Sequence, residues 1–179
     1  MQGLLNSMRL TLRPIESGDT DLIVLWRNSQ EVHPYFLMKE QLTREAHEKW
    51  LNNEIARGEA VQFIIFDKEL GQDVGSVYLR DIDRIALRAE FGIYLGDIKA
   101  RGRGLGSEAC SLILDYAWME LGLDQVFLRV KSDNSAAIKS YLNSGFSLME
   151  AGQVIDFGLF SEDKFGIVYM QVRNPNEAG

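Results

Sequence analysis

Ala89-Glu90-Phe91-Gly92-Ile93-Tyr94-Leu95, followed a few residues later by Arg101-Gly102-Arg103-Gly104-Leu105-Gly106, is the stretch on which the reading of this chain turns. The first part alternates, with Ala89, Phe91, Ile93 and Leu95 on one face, as a strand with a buried side does. The second part places three glycines and two arginines in six residues. After it, Leu105, Ala109, Leu112, Ile113, Tyr116 and Ala117 share one helical face, and Gly122 ends the pattern. A strand, a glycine-rich loop and a helix in that order set the free N–H groups of the first helical turn at the loop. Those groups carry about half a positive charge, and glycine lets the backbone approach an anion closely. Lys99, Arg101 and Arg103 add positive charge, so a diphosphate is the natural guest. The spacing excludes the dinucleotide fingerprint G-x-G-x-x-G: after Gly102 and Gly104 the next glycine is Gly106, one residue early. No Gly-Lys-Ser/Thr follows, which excludes a P-loop. On this segment alone a purely structural turn stays open.

Upstream, Met8-Arg9-Leu10-Thr11-Leu12 alternates as a first strand that Pro14 ends. Ser17-Gly18-Asp19-Thr20 supplies capping chemistry for a helix through Leu22, Val24, Leu25 and Trp26. Pro34 interrupts the next segment, which reads as a short helix or turns and then a loop. Thr43 caps a helix from Arg44 to Arg57, stopped by Gly58. Val61 to Phe66, Val74 to Leu79 and Ala89 to Leu95 form an antiparallel meander, with turns at Lys68 to Gln72 and Asp81 to Ile85. Downstream, Val126 to Val130 is a short buried strand. Asn134 lies in the capping stretch of a helix from Ala136 to Asn143, with Gly145 just past its end. Phe146 to Met149 and Phe165 to Val172 are the final strands. The helix between Leu95 and Val126 permits a parallel crossover. The expected class is α+β (mixed α/β), in one domain spanning residues 1–179.

A chain of 179 residues that is 46% hydrophobic, with only three prolines, can build a full core, which excludes disorder and low complexity. The net charge of −7 argues against a nucleic-acid partner, which needs a basic surface. It fits a cationic amine weakly, or serves solubility alone. With one cysteine, Cys110, and two histidines, neither an internal disulfide nor a structural zinc site is expected, and no metal. Met1 to Asn6 does not read as a signal peptide, and no apolar run is long enough to span a membrane. Cytoplasmic localisation without a membrane partner is the expectation.

Arg101, Gly104 and Gly106 resemble motif A of the GNAT superfamily of acetyl-CoA-dependent N-acetyltransferases, Arg/Gln-x-x-Gly-x-Gly/Ala. Ala89 to Leu95 is similar to that family's fourth strand. Asn134-x-x-Ala137-x-x-x-Tyr141-x-x-x-Gly145-Phe146 is similar to its motif B. The resemblance covers about Ala89 to Met149 well, and the N-terminal third in general layout.

The resemblance implies a mostly antiparallel twisted sheet of six to seven strands, flanked by helices and splayed at a central parallel pair. It implies acetyl-CoA as cofactor, the pyrophosphate held by main-chain amides of Arg101, Gly102, Arg103, Gly104, Leu105 and Gly106, with Ser107 next. The pantetheine arm would lie along Ile93, Tyr94 and Leu95, and one amide there would polarise the thioester carbonyl. Asn134 matches an asparagine that touches coenzyme A, and it also suits a helix N-cap. Tyr141 matches the tyrosine that protonates the departing thiolate; otherwise it is an aromatic on an amphipathic helix. Ribosomal-protein alanine acetyltransferases carry a glutamate five residues before the motif B asparagine, where this chain has Arg129. Glu90, on the strand beside the thioester, is then the first candidate base, or else half of a structural ion pair. Cys110 reads as a buried helix residue, since direct amine attack needs no enzyme nucleophile.

On the substrate side, Trp26-Arg27-Asn28 followed by Thr43, His47 and Trp50 loosely resembles acetyltransferases of nucleotide-linked amino sugars, and His33 in the same region is a further candidate. Stacking on a nucleotide and pairing with its diphosphate would use Trp26 and Arg27. The alternative has Trp26 and Trp50 in the core, Arg27 on the surface, His33 in a turn and His47 at an exposed helical position. An amino sugar nucleotide, a polyamine or other small amine, and a protein N-terminus or lysine all stay open as acceptor. A non-catalytic acetyl-CoA-binding sensor is the competing class. A homodimer is expected by analogy with the family.

Overall fold

The meander is built as its alternation requires. In the computed structural model, which describes residues 3–157 and 166–177, strands β1 (Leu5–Asn6), β2 (Leu10–Pro14), β3 (Val61–Asp67), β4 (Gln72–Asp83) and β5 (Arg88–Leu95) pair in succession, all antiparallel. Helix α3 (Leu105–Met119) then crosses to β6 (Gln125–Lys131), which lies parallel to β5. Strand β8 (Ile167–Arg173) pairs antiparallel with β6, and β7 (Ser147–Leu148) closes the edge. The sheet order is β1-β2-β3-β4-β5-β6-β8-β7, eight strands including the two-residue β1 and β7. Helices α1 (Thr20–Asn28), α2 (Arg44–Trp50), α4 (Ser135–Asn143) and α5 (Ala151–Asp156) complete the described elements longer than one turn, apart from a π-helical turn noted below.

Strand alternation sorts the core into two layers. Val61, Phe63, Ile65, Val77, Leu79, Ala89, Phe91, Val126 and Leu128 pack with α3 through Leu105, Ala109, Ile113 and Ala117. The opposite face carries Ile64 and Tyr94, which pack with Ile23 and Trp26 of α1 and with Val32. No helix among the described residues is long and apolar enough to cross a membrane.

The parallel pair is short. Only Arg88, Ala89 and Glu90 pair with Gln125, Val126 and Phe127, whereas β6 stays paired with β8 up to Lys131. Among the described residues, β5 therefore has an open edge from Phe91 onward.

Several boundaries differ from expectation for identifiable reasons. The first long strand lies two residues later, because Pro14 needs no ladder donor as the last residue of the strand. Strand β4 runs to Asp83 through an irregularity after Arg80 that includes Asp81 at φ 51°. The following turn forms where the Asp83 carboxylate accepts from the amides of Ile85 (2.9 Å) and Ala86 (2.8 Å). Helix α2 continues as a π-helical turn, Leu51–Ile55, before Gly58 stops it at φ 70°. Helix α5, not expected, starts at a reciprocal cap between Glu150 and Gln153. Phe165, expected to open the last strand, lies outside the described residues. His47 is buried rather than exposed; its Nδ1 meets the Thr20 hydroxyl at 3.0 Å, while its Nε2 is buried without a partner.

Candidate active site

The glycine-rich loop ends with Gly104 at φ 79°, after Gly102 at φ 71°. This left-handed conformation favours glycine. Gly104 is also the N-cap of α3, and it has no side chain to cap the helix. The first amide of the helical ladder to be satisfied is that of Glu108, which donates to the Gly104 carbonyl at 3.2 Å. The N–H groups of Gly102 through Ser107 have no acceptor among the described residues, so they stand together at a positive helix end. These donors fit a diphosphate.

The two arginines of the loop are engaged within the chain, and the charge of Arg103 is balanced there. Arg103 is held by Asp67 and Glu69, and Arg101 donates to the carbonyls of Leu95 (2.8 Å) and Glu31 (3.0 Å). Asp67 is buried, which by itself pushes its pKa up. Arg103 and the amides of Glu69 and Leu70 outweigh that and hold the carboxyl below its ordinary range.

The open edge of β5 can be read from the ladder. The Gly96 amide donates to the Val74 carbonyl at 2.8 Å, so Tyr94–Ser76 and Gly92–Tyr78 are the mutually bonded pairs. The main-chain groups of Phe91, Ile93 and Leu95 point the other way, into the splay. The Leu95 carbonyl there is already taken by Arg101. Tyr94, expected along the cofactor with its neighbours, instead turns its main chain to β4. Its ring is buried against Trp26 and Phe36 on the far face.

Helix α4 brings Tyr141 to the same opening. Its ring stands edge-on to Phe91 (5.9 Å, 88°) and beside Phe146. Burial raises the Tyr141 phenol above its ordinary range, so it stays protonated near neutral pH. The Ser107 and Ser140 hydroxyls lie 3.2 Å apart, tying the first turn of α3 to the turn that carries Tyr141. Asn134 is the N-cap of α4, its Oδ1 accepting from the Ala137 amide at 3.2 Å. Cys110 is buried and its thiol is pushed up to about 12 by burial, which makes it a poor nucleophile.

On the opposite face the expected substrate residues separate. Trp26 is a core residue whose ring lies against Gly96, where an added Cβ would fall 2.2 Å from it. Asn28 is a clip: its amide donates to the Leu42 carbonyl and accepts from the Leu42 amide, both at 2.8 Å. Arg27 stacks over the Phe36 ring, 3.4 Å from its centroid, and its Nε is buried without a partner. His33 sits in a one-turn helix, with Nε2 also buried and unpartnered. Glu90 faces Arg80 on β4 (3.0 Å) and Arg129 on β6 (2.9 Å), and both its oxygens are engaged. That geometry counts against Glu90 as a free base. Sequence reasoning missed Arg80, the pairing role of Arg129, and Tyr78, whose phenol lies across Gly92. Strand alternation puts Tyr78 and Arg80 on one face, a signal that was present.

Comparison with known proteins agrees with this architecture. Residues 9–147 match the model of the acetyltransferase (GNAT) domain. The uncharacterized N-acetyltransferase p20 of Bacillus licheniformis is 31% identical over 152 residues, 83% of this chain and 84% of that protein. A spermidine N(1)-acetyltransferase of Vibrio cholerae is 27% identical over 148 residues, 83% of each chain. A solved spermidine N-acetyltransferase of Vibrio cholerae, in complex with CoA and spermine, superposes with a TM-score of 0.78 at 23% identity, covering 93% of this chain and 96% of that one. The chain thus belongs to the GNAT family and is an acetyl-CoA-dependent N-acetyltransferase.

Proposed function

We propose that the protein transfers acetyl from acetyl-CoA to a small primary amine by direct attack in a ternary complex. The observation that carries this reading is the row of free amides from Gly102 to Ser107 beside the open edge of β5. Acetyl-CoA supplies a thioester whose carbonyl carbon gains a bond to the amine nitrogen as its bond to sulfur breaks. The loop amides hold the pyrophosphate. The Ile93 N–H donates to the carbonyl oxygen as charge develops there. Tyr141 gives its proton to the leaving sulfur, and burial keeps that proton in place until then. Asn134 keeps its Nδ2 free for the cofactor while Oδ1 caps α4. The acceptor ammonium, with a pKa of about 10, must lose a proton before attack. With both Glu90 oxygens held by guanidinium groups, that proton leaves through water.

An amino sugar nucleotide is the acceptor that first fits Arg27 and Phe36. A polyamine is the second reading, supported by the spermidine acetyltransferases among the relatives. A protein N-terminus fits less well, because Arg129 stands where the ribosomal-protein enzymes carry a glutamate and is paired to Glu90. Self-association is part of the proposal; a Vibrio cholerae relative is dodecameric in one structure, which supports an oligomer without fixing its size. The test is thermal shift with acetyl-CoA, then thiol release across a panel of amines. A shift with amine-dependent thiol release is expected. No shift overturns the reading, and a shift without release by any amine favours the non-catalytic sensor.

A further inference from the structure

We propose that the acceptor carries a phosphate or carboxylate besides its amine, and that Arg27 receives this anion. The inference rests on the acyl-transfer reading and names the class of its acceptor. It starts from the charges on the sheet face opposite α3. Arg80, Glu90 and Arg129 form a row across β4, β5 and β6, two cations on the Glu90 carboxylate, with the exposed Asp81 carboxylate 3.6 Å from Arg80. Lys131 lies two residues further along β6, on the same face, and donates to the Pro34 carbonyl of the loop above. Arg27 reaches the same face from α1: its guanidinium lies over Phe36, whose ring packs edge-on to Tyr94 of β5 at 5.6 Å.

Arg27 is the unbalanced member. No carboxylate among the described residues lies within ion-pair distance of it, and its guanidinium makes no hydrogen bond there. Phe36 covers one face of the guanidinium and leaves its rim of donors free. A desolvated guanidinium without a counter-charge is costly, and a planar fork of donors matches a carboxylate or phosphate. Among the described residues, four cations against two carboxylates, Glu90 and the Asp81 that lies 3.6 Å from Arg80, leave a net positive charge that repels a polyamine, which would bring several more positive charges to the same space.

The test is thermal shift on the protein saturated with CoA, which fills the pyrophosphate site, at constant ionic strength. The probes are glycerol 3-phosphate, succinate and spermidine, each at about 10 mM. At least one anion is expected to raise Tm by about 3 °C, and the larger shift tells phosphate from carboxylate. Arg27→Gln should lose that shift while keeping the one caused by CoA, which reports an intact fold. Arg27→Lys should recover part of it. A shift with spermidine alone, no shift with any probe, or an anion shift that survives Arg27→Gln overturns the inference. If CoA itself gives no shift, the acyl-transfer reading falls instead.

Discussion

The two sides of the splay are built in opposite ways. At the start of α3 the main chain is open and the side chains are tied. The amides of Gly102 to Ser107 lack acceptors, while Arg101 and Arg103 are held by carbonyls and carboxylates. Across the splay the main chain is tied and the side chains are open. Asn28 clips the loop at Leu42, while Arg101 and Lys131 hold the carbonyls of Glu31 and Pro34. Yet Arg27 Nε, His33 Nε2 and the Tyr94 hydroxyl are buried without partners. A ligand recognised by main chain requires a backbone shape and tolerates varied side chains. A ligand recognised by side chains is specified residue by residue. Proteins can therefore share the first half of this arrangement and differ in the second, as a common cofactor with divergent acceptors requires.

Tyr141 stands between the two halves, so its removal gives the largest effect. In Tyr141→Phe, kcat should fall about 100-fold, the contribution expected of a positioned general acid. The KM for acetyl-CoA should stay within about twofold, because the ring keeps its contacts with Phe91 and Phe146. Steady-state rates with acetyl-CoA and amine varied separately would show this. An unchanged kcat would mean the thiolate leaves unaided, and the two halves would then meet at no shared group.

How much of this was legible follows the same division. The meander, α3 and the loop were readable because alternation, helical period and glycine placement are local. Asn134, with its cap, was readable for the same reason. The Arg80–Glu90–Arg129 row was not, because it depends on the register between β5 and β6, which α3 separates in sequence. Asn28 read as a substrate residue, although its partner is Leu42 on the far side of a loop. His47 read as exposed because a polar residue on an amphipathic helix usually is; it is buried instead, with Nδ1 against the Thr20 hydroxyl of another helix and Nε2 without a partner. Arg103 read as charge for a phosphate because nothing local shows that Asp67, at the end of β3, faces it.

A smaller effect sharpens the claim that the cofactor side depends on backbone shape. Gly104→Ala keeps the chain but forces a side chain into the left-handed region at φ 79°, at a cost of about 1–2 kcal/mol. The new Cβ would meet only the flexible end of Arg9 at 3.4 Å, so conformation rather than crowding is the cause. If the loop relaxes toward a more comfortable φ, its amides diverge. The KM for acetyl-CoA should then rise about tenfold, with the KM for the amine unchanged. Equal rises in both would tie the two sides together and break the comparison.

The smallest effect tests whether the loop side chains are structural. In Arg103→Gln the KM for acetyl-CoA should change less than about twofold, and the loss should appear in stability. Burial pushes the Asp67 pKa up, but Arg103 and two amides hold it below the ordinary value of about 3.9. A carboxylate with a depressed folded pKa stabilises the fold above its unfolded pKa, and that contribution is lost as pH falls through the folded value. Wild-type Tm should therefore drop as pH falls from about 4. Arg103→Gln should melt a few degrees lower at pH 7 and lose less on acidification, because Asp67 no longer holds its charge as strongly. Melting curves from pH 7 to 3 measure both. A tenfold rise in the KM for acetyl-CoA would instead place the Arg103 guanidinium on the pyrophosphate, and the cofactor side would then be read by side chains as well as by main chain.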